Sequence, residues 1–205
     1  MNSRHFSVLG TLIIVFAGRG AASAQRVQYE PPLHQPCGWF EPLTKLDQVD
    51  SRRGHLIVRG SSHIMTLQAR GGSIRVDAIE LKDETDQTAT NGVLIELREP
   101  KPETPNAADD ARTYIDYDEI DGLIKSWDVV AKADDTITRL ADFEARFRTR
   151  GDLEIAVFRQ IPGGAVAAAV TSGLCDRVRV LLSLDELSRL RGMILQARAR
   201  LDEAK

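Results

Sequence analysis

The sequence predicts an α+β fold of two pseudo-repeated antiparallel ββββα units packed together, preceded by an extended N-terminal arm. Three observations predict it. Ile115-Asp116-Tyr117-Asp118-Glu119-Ile120 is echoed 67 residues later by Leu182-Ser183-Leu184-Asp185-Glu186-Leu187. Apolar residues follow each stretch at helical spacing: Ile120, Leu123, Ile124, Trp127 and Val130 in the first, Leu187, Leu190, Ile194, Ala197 and Leu201 in the second. Four of these pairs keep the same offset of 67, so the two helices are equivalent amphipathic elements. Ahead of each helix lie short stretches of period-two alternation cut by glycine and proline, the pattern of an antiparallel meander.

Residues 1–24 hold Arg4, a mostly apolar run from Phe6 to Ala17 and the small-residue trio Ala22-Ser23-Ala24, the order of a secretory signal peptide. The run is roughly 12 residues against the roughly 20 that span a bilayer. The expected mature chain begins near Gln25, without a membrane span, in the periplasm or outside the cell. Removing Arg4 and Arg19 lowers Lys+Arg from 27 to 25 against 30 acids, so the net charge moves from −3 to −5. A mildly acidic chain has no global field for polyanions. About 180 mature residues suffice for a proper core.

Residues 25–53 carry Pro31-Pro32, Pro36 and Pro42 and read as an extended arm anchored by Trp39 and Phe40. The first unit, 54–134, has an additional strand at 56–59, then strands at 63–69, 73–81, 92–99 and 112–115 before its helix. In Ile74-Val76-Ala78 followed by Ile79-Leu81 the apolar phase slips by one, which predicts a bulge or a strand end. The stretch PKPETPNAADD, 100–110, reads as a surface loop. The second unit, 135–205, is cleaner. Phe143, Ala145 and Phe147 alternate with Glu144, Arg146 and Arg148; strands follow at 153–157, 165–171 and 178–182, with turns at Gly151-Asp152, Pro162-Gly163-Gly164 and Ser172-Gly173.

The dense acids of YIDYDEIDGLI raise a metal or acid/base question, and the echo answers it. Ser183 with Glu186 is a capping box, and Asp116 with Glu119 stands at the same two places, so all four are read as helix caps. Asp118 and Asp185 then fall in first turns, where they complement the helix dipole. A calcium loop from Asp116 would need an acid at Ile120, glycine at Asp121 and glutamate at Trp127, so no EF-hand is present. Cys37 and Cys175 are the two cysteines; in an oxidising compartment they are a candidate disulfide, with two free thiols the alternative.

Arg146, Arg148, Arg177 and Arg179 share one sheet face in this reading, a candidate anion-binding face for phosphate, carboxylate or acidic polysaccharide. Its bland counterpart is a solvated face balanced by Glu144 and Glu154. His55 and His63 flank a predicted hairpin, where a metal pair competes with ordinary surface hydrogen bonding. Gly60-Ser61-Ser62-His63 lacks the nucleophile elbow and has no acid partner that the sequence specifies. No phosphate-binding or dinucleotide fingerprint occurs. No catalytic residue, metal or cofactor is assigned.

The order of two ββββα units over roughly 62–201 resembles that of the Whirly-type single-stranded nucleic-acid binders, in which curved sheets and helices pair about a two-fold axis. The resemblance implies a fold, and no binding motif of that class is matched. YIDYDEIDGLI, FEARFRTRGDLEIAVF and SLDELSRLR are also similar to uncharacterised secreted bacterial proteins, which carry no assigned activity. The expected function is an exported, non-enzymatic binding or structural-interaction protein whose partner is a protein or small ligand of the cell envelope. The alternatives are a polyanion or single-strand nucleic-acid binder using the arginine face, and an unrecognised periplasmic enzyme. Export and the scarcity of outward aromatics argue against nucleic acid. The heptad-like seam of the second helix packs on the first helix in a monomer or on a second protomer in a homodimer.

Overall fold

The structure is a computed structural model and describes residues 43–101, 108–134, 136–140, 142–159, 164–173 and 177–204. Alternation and turns give two four-stranded antiparallel meanders. β1 (Ile57–Ala69), β2 (Gly72–Asp83), β3 (Thr88–Pro100) and β4 (Ala108–Asp116) form the first sheet in that order. A short 3-10 turn, Tyr117–Glu119, leads into α2 (Ile120–Val130); α1 (Lys45–Asp50) precedes β1. β5 (Glu144–Arg148), β6 (Glu154–Arg159), β7 (Val166–Ser172) and β8 (Val178–Leu182) form the second sheet, followed by α3 (Leu184–Glu203). The chain is α+β with two ββββα units.

The helices α2 and α3 pack across the seam between the units. α2 lies against β5 and β6 of the second sheet, while α3 lies against β1, β2 and β3 of the first as well as β7 and β8. The four offset-67 pairs, Ile120/Leu187, Leu123/Leu190, Trp127/Ile194 and Val130/Ala197, are all buried. The α3 seam is therefore spent inside the chain. Both sheets contribute to one core, with Val76, Val93, Ile95 and Ile115 on one side and Ile155, Val157, Val170 and Val180 on the other.

Glycine turns repeat this exchange at the sheet edges. A Cβ on Gly151, in the β5–β6 turn, would meet the Tyr114 carbonyl, the Thr113 side chain and the Thr44 methyl. A Cβ on Gly71, in the β1–β2 turn, would lie 2.9 Å from the backbone nitrogen of Leu181. Tyr114 and Leu181 stand two residues before Asp116 and Ser183, so each unit's first hairpin turn abuts the last strand of the other.

Several expectations are corrected. Residues 45–50 are a helix rather than extended arm; Thr44 caps it in a reciprocal box with Asp47. The strand expected at 56–59 is continuous with its neighbour in the 13-residue β1, whose register slips between His63 and Met65. No slip occurs between β2 and β3 at Ile79. β2 instead buries both faces: Ile74, Val76 and Ala78 in the shared core, Ile79 and Leu81 in a second cluster with Leu46, Val49, Leu94 and Tyr114. The change of phase marks where α1 covers the outer face. β4 begins at Ala108, inside the expected 100–110 loop.

Candidate functional site

The acids of 116–121 are the densest charge cluster of the first unit, and each has a tertiary partner. The buried Asp116 carboxylate accepts from the backbone N–H groups of Lys45 at 2.9 Å and Leu46 at 3.2 Å. Asp118 accepts from Lys45 Nζ at 3.0 Å and from Arg150 at 2.9 Å. Glu119 accepts from the Arg150 backbone N–H at 2.7 Å. The Arg150 guanidinium also stands 3.5 Å from Asp116 and from Glu119, and Arg198 pairs with Asp121. The Lys45 hydrogen bond, followed by that from Arg150, holds the Asp118 carboxyl below its ordinary range.

The cap assignment for Asp116 and Glu119 is thus corrected. Neither makes a side-chain bond to its own helix start. Two donors at the α1 terminus and one at Arg150 take these carboxylates, and a carboxylate aimed there is unavailable to the turn beside it. Ser183 and Glu186 do form the reciprocal box: Glu186 N donates to Ser183 Oγ at 3.2 Å, and Ser183 N donates to Glu186 Oε2 at 2.7 Å. The cluster joins α1, the start of α2 and the β5–β6 turn, with cations already supplied by Arg150 and Lys45.

The four arginines of the second sheet sit near its two opposite edges, β5 and β8. Register aligns Arg148, Glu154, Thr171 and Arg179 in one row across the strands, and Arg146, Ala156, Ala169 and Leu181 in the next. Buried Glu154 gathers Arg148 at 2.6 Å and Arg177 at 3.6 Å; Arg148 also lies 3.3 Å from Asp152. Burial alone would raise the Glu154 pKa, yet the Arg148 hydrogen bond and the charges of Arg177 and Arg148 bring it below the ordinary value. For Asp152 burial prevails and the pKa is raised. The Arg179 guanidinium lies 5.1 Å from the Phe158 ring centre, and Arg146 stands 3.8 Å from Glu144. Asp152, expected only as a turn residue, joins this face through Arg148, and Phe158 joins it through Arg179.

The two histidines do not approach one ligand. His63 Nδ1 lies 2.7 Å from buried Asp77, which Arg75 also holds. His55 Nδ1 lies 2.8 Å from Asp83 Oδ2. Asp77 is the acid partner that sequence alone did not specify for His63, but among the described residues neither Ser61 nor Ser62 hydrogen-bonds that ring. His55, Asp83 and Asp86 place three donor atoms within 4.8 Å of one another. Arg52 Nη1 stands 2.7 Å from Asp83 and 2.9 Å from Asp86, so a guanidinium occupies the place between the carboxylates. Burial would raise the Asp83 pKa; the bonds from Arg52, His55 and the backbone N–H groups of Asp86 and Thr85 instead lower it to about 2.

Cys37, Cys175, Trp39 and Phe40 lie outside the described residues. Among the described residues no helix is long and apolar enough to cross a membrane. No family model, curated protein or solved structure matches the chain.

Proposed function

We propose that this is an exported, non-enzymatic interaction protein whose docking element is the edge strand β1. One observation carries the reading: the polar clusters above are closed upon internal partners, whereas β1 is a 13-residue terminal strand of its sheet with apolar side chains in solvent. Val58 is 48% and Met65 49% exposed, and Leu56, just before the strand, is 64% exposed. An open edge supplies backbone donors and acceptors to an added strand, and apolar neighbours supply the burial that such pairing needs. The bulge at His63/Met65 divides the edge and limits pairing to 57–63 or 65–69.

Export belongs to the same reading and rests on residues 1–24; a bridge between Cys37 and Cys175 would belong to that compartment. The polyanion alternative would use Arg146, Arg148, Arg177 and Arg179, supported by the Arg179–Phe158 stack. Glu154 draws two of the four onto itself, which favours the edge-strand reading.

The experiment is to recover the C-terminally tagged protein from the cell envelope or medium, sequence its N-terminus by mass spectrometry, and photo-cross-link from Val58 and Met65. A start at Gln25 with one envelope protein captured at both positions, and retained in high salt, supports the proposal. A chain retaining Met1, or capture that vanishes with salt and follows Arg146 instead, contradicts it.

A further inference from the structure

The first half of β1 separates two chemistries by face. Ile57 packs into the cluster beneath α1, and Arg59 and Ser61 pair in register with Leu81 and Ile79 of that cluster, so 57, 59 and 61 share the outer face. Val58, Gly60 and Ser62 alternate with them, and Ser62 pairs with Ala78 of the shared core. A strand added to this edge carries the same alternation: one set of its side chains lies beside Arg59, the other beside Val58 and Gly60.

Arg59 is exposed on this edge. Burial pushes the Tyr114 phenol up to about 12, and the Arg59 charge opposes that rise, which places the guanidinium on the α1 side of the sheet. Among the described residues no carboxylate pairs with Arg59, whereas Arg75 and Lys82 of β2 hold Asp77 and Glu84. An unpaired cation on an open strand favours a carboxylate directly across from it. No acid occurs between Ile57 and Ala69, so β1 of a second copy cannot supply one. On the inner face Val58 is 48% exposed, and Gly60 leaves a gap in which an added Cβ would find its nearest atoms, the Cβ and carbonyl oxygen of Glu80, at 4.0 Å.

We propose that the segment β1 receives is a strand of a different protein that carries carboxylates on its outer face, opposite Arg59, and apolar side chains on its inner face, opposite Val58 and Gly60. The inference rests on the edge-strand reading and adds the chemistry of the partner. The net charge of −3 works against an acidic strand at long range, so a preference for one is local to Arg59. One ion pair among backbone bonds and apolar contacts leaves the complex intact in high salt.

The test uses three end-blocked peptides of strand length, in which valine alternates with glutamate, lysine or threonine. Binding to the full chain is read by fluorescence anisotropy, and its place by photo-cross-linking from benzoylphenylalanine at position 56. The glutamate peptide is expected to bind about fivefold more tightly than the lysine peptide, with threonine between them. Arg59→Glu should reverse that order and Arg59→Gln should level it. Equal affinities for the parent chain, tighter binding of the lysine peptide, or an order that both variants leave unchanged overturns the inference while the edge-strand reading stands. Capture of none of the three peptides overturns both.

Discussion

The two sheets share one core but protect their outer faces by different means. The first buries Ile79, Leu81, Leu94 and Tyr114 beneath a six-residue helix pinned by the Asp116 carboxylate. The second sets alanines at 156, 167 and 169 and carries arginines beside them, with Arg148 and Arg177 drawn to Glu154 and Arg179 stacked on Phe158. Ala156 and Ala169 are 5% and 1% exposed without a covering helix among the described residues. Long aliphatic stems cover apolar surface while their charges reach an acid or a ring. A doubled fold can thus diverge on its outside while its inside stays equivalent.

The contrast can be broken from either side. The largest effect is expected from Leu46→Ala, which empties a fully buried site between α1 and the first sheet: about 3 kcal/mol by urea denaturation, against less than about 1 kcal/mol for Leu181→Ala. Equal losses at the two positions would erase the distinction. Next comes Glu154→Ala, which leaves two guanidiniums without their buried acceptor and should cost about 2–3 kcal/mol. Glu96→Ala removes the matching acid from the more solvated Arg75/Arg112 ladder, where less than about 1 kcal/mol is expected.

Asp116→Ala should remove about 1–2 kcal/mol by uncapping α1, and hydrogen exchange should localise the loosening to 45–50 and 79–81 rather than to α2. The last test is acidic. Asp83 titrates at about 2 in the fold against about 3.9 unfolded, so its contribution is complete above about pH 4 and fades as the pH falls towards 2. Asp83→Asn should flatten that part of the stability–pH curve; an unchanged slope would show that the Arg52/His55 clasp is not formed.

Much of this fold was legible. Period-two alternation located β5, β6, β7 and β8 to within a residue or two, because each of these strands buries one face in the shared core and is punctuated by Gly or Pro. The offset-67 stripe located both helices. α1 was hidden because six residues among prolines give too little periodicity, although Thr44 and Asp47 were there as a cap signature. The two-sided burial of β2 imitated a bulge, since a strand covered on both faces loses its alternation. The roles of Asp116, Glu119 and Arg150 were illegible for a different reason: their partners are 31 to 71 residues away, and no local pattern announces which donor a carboxylate will meet.

Exchanged helices should make the two units one cooperative structure. Native-state hydrogen exchange as a function of denaturant tests it most directly. Amides of β2 and β3, of β6 and β7, and of α2 and α3 should converge on a single opening free energy. Opening of 144–182 at a distinctly lower free energy, while β2, β3 and α3 stay protected, would contradict it.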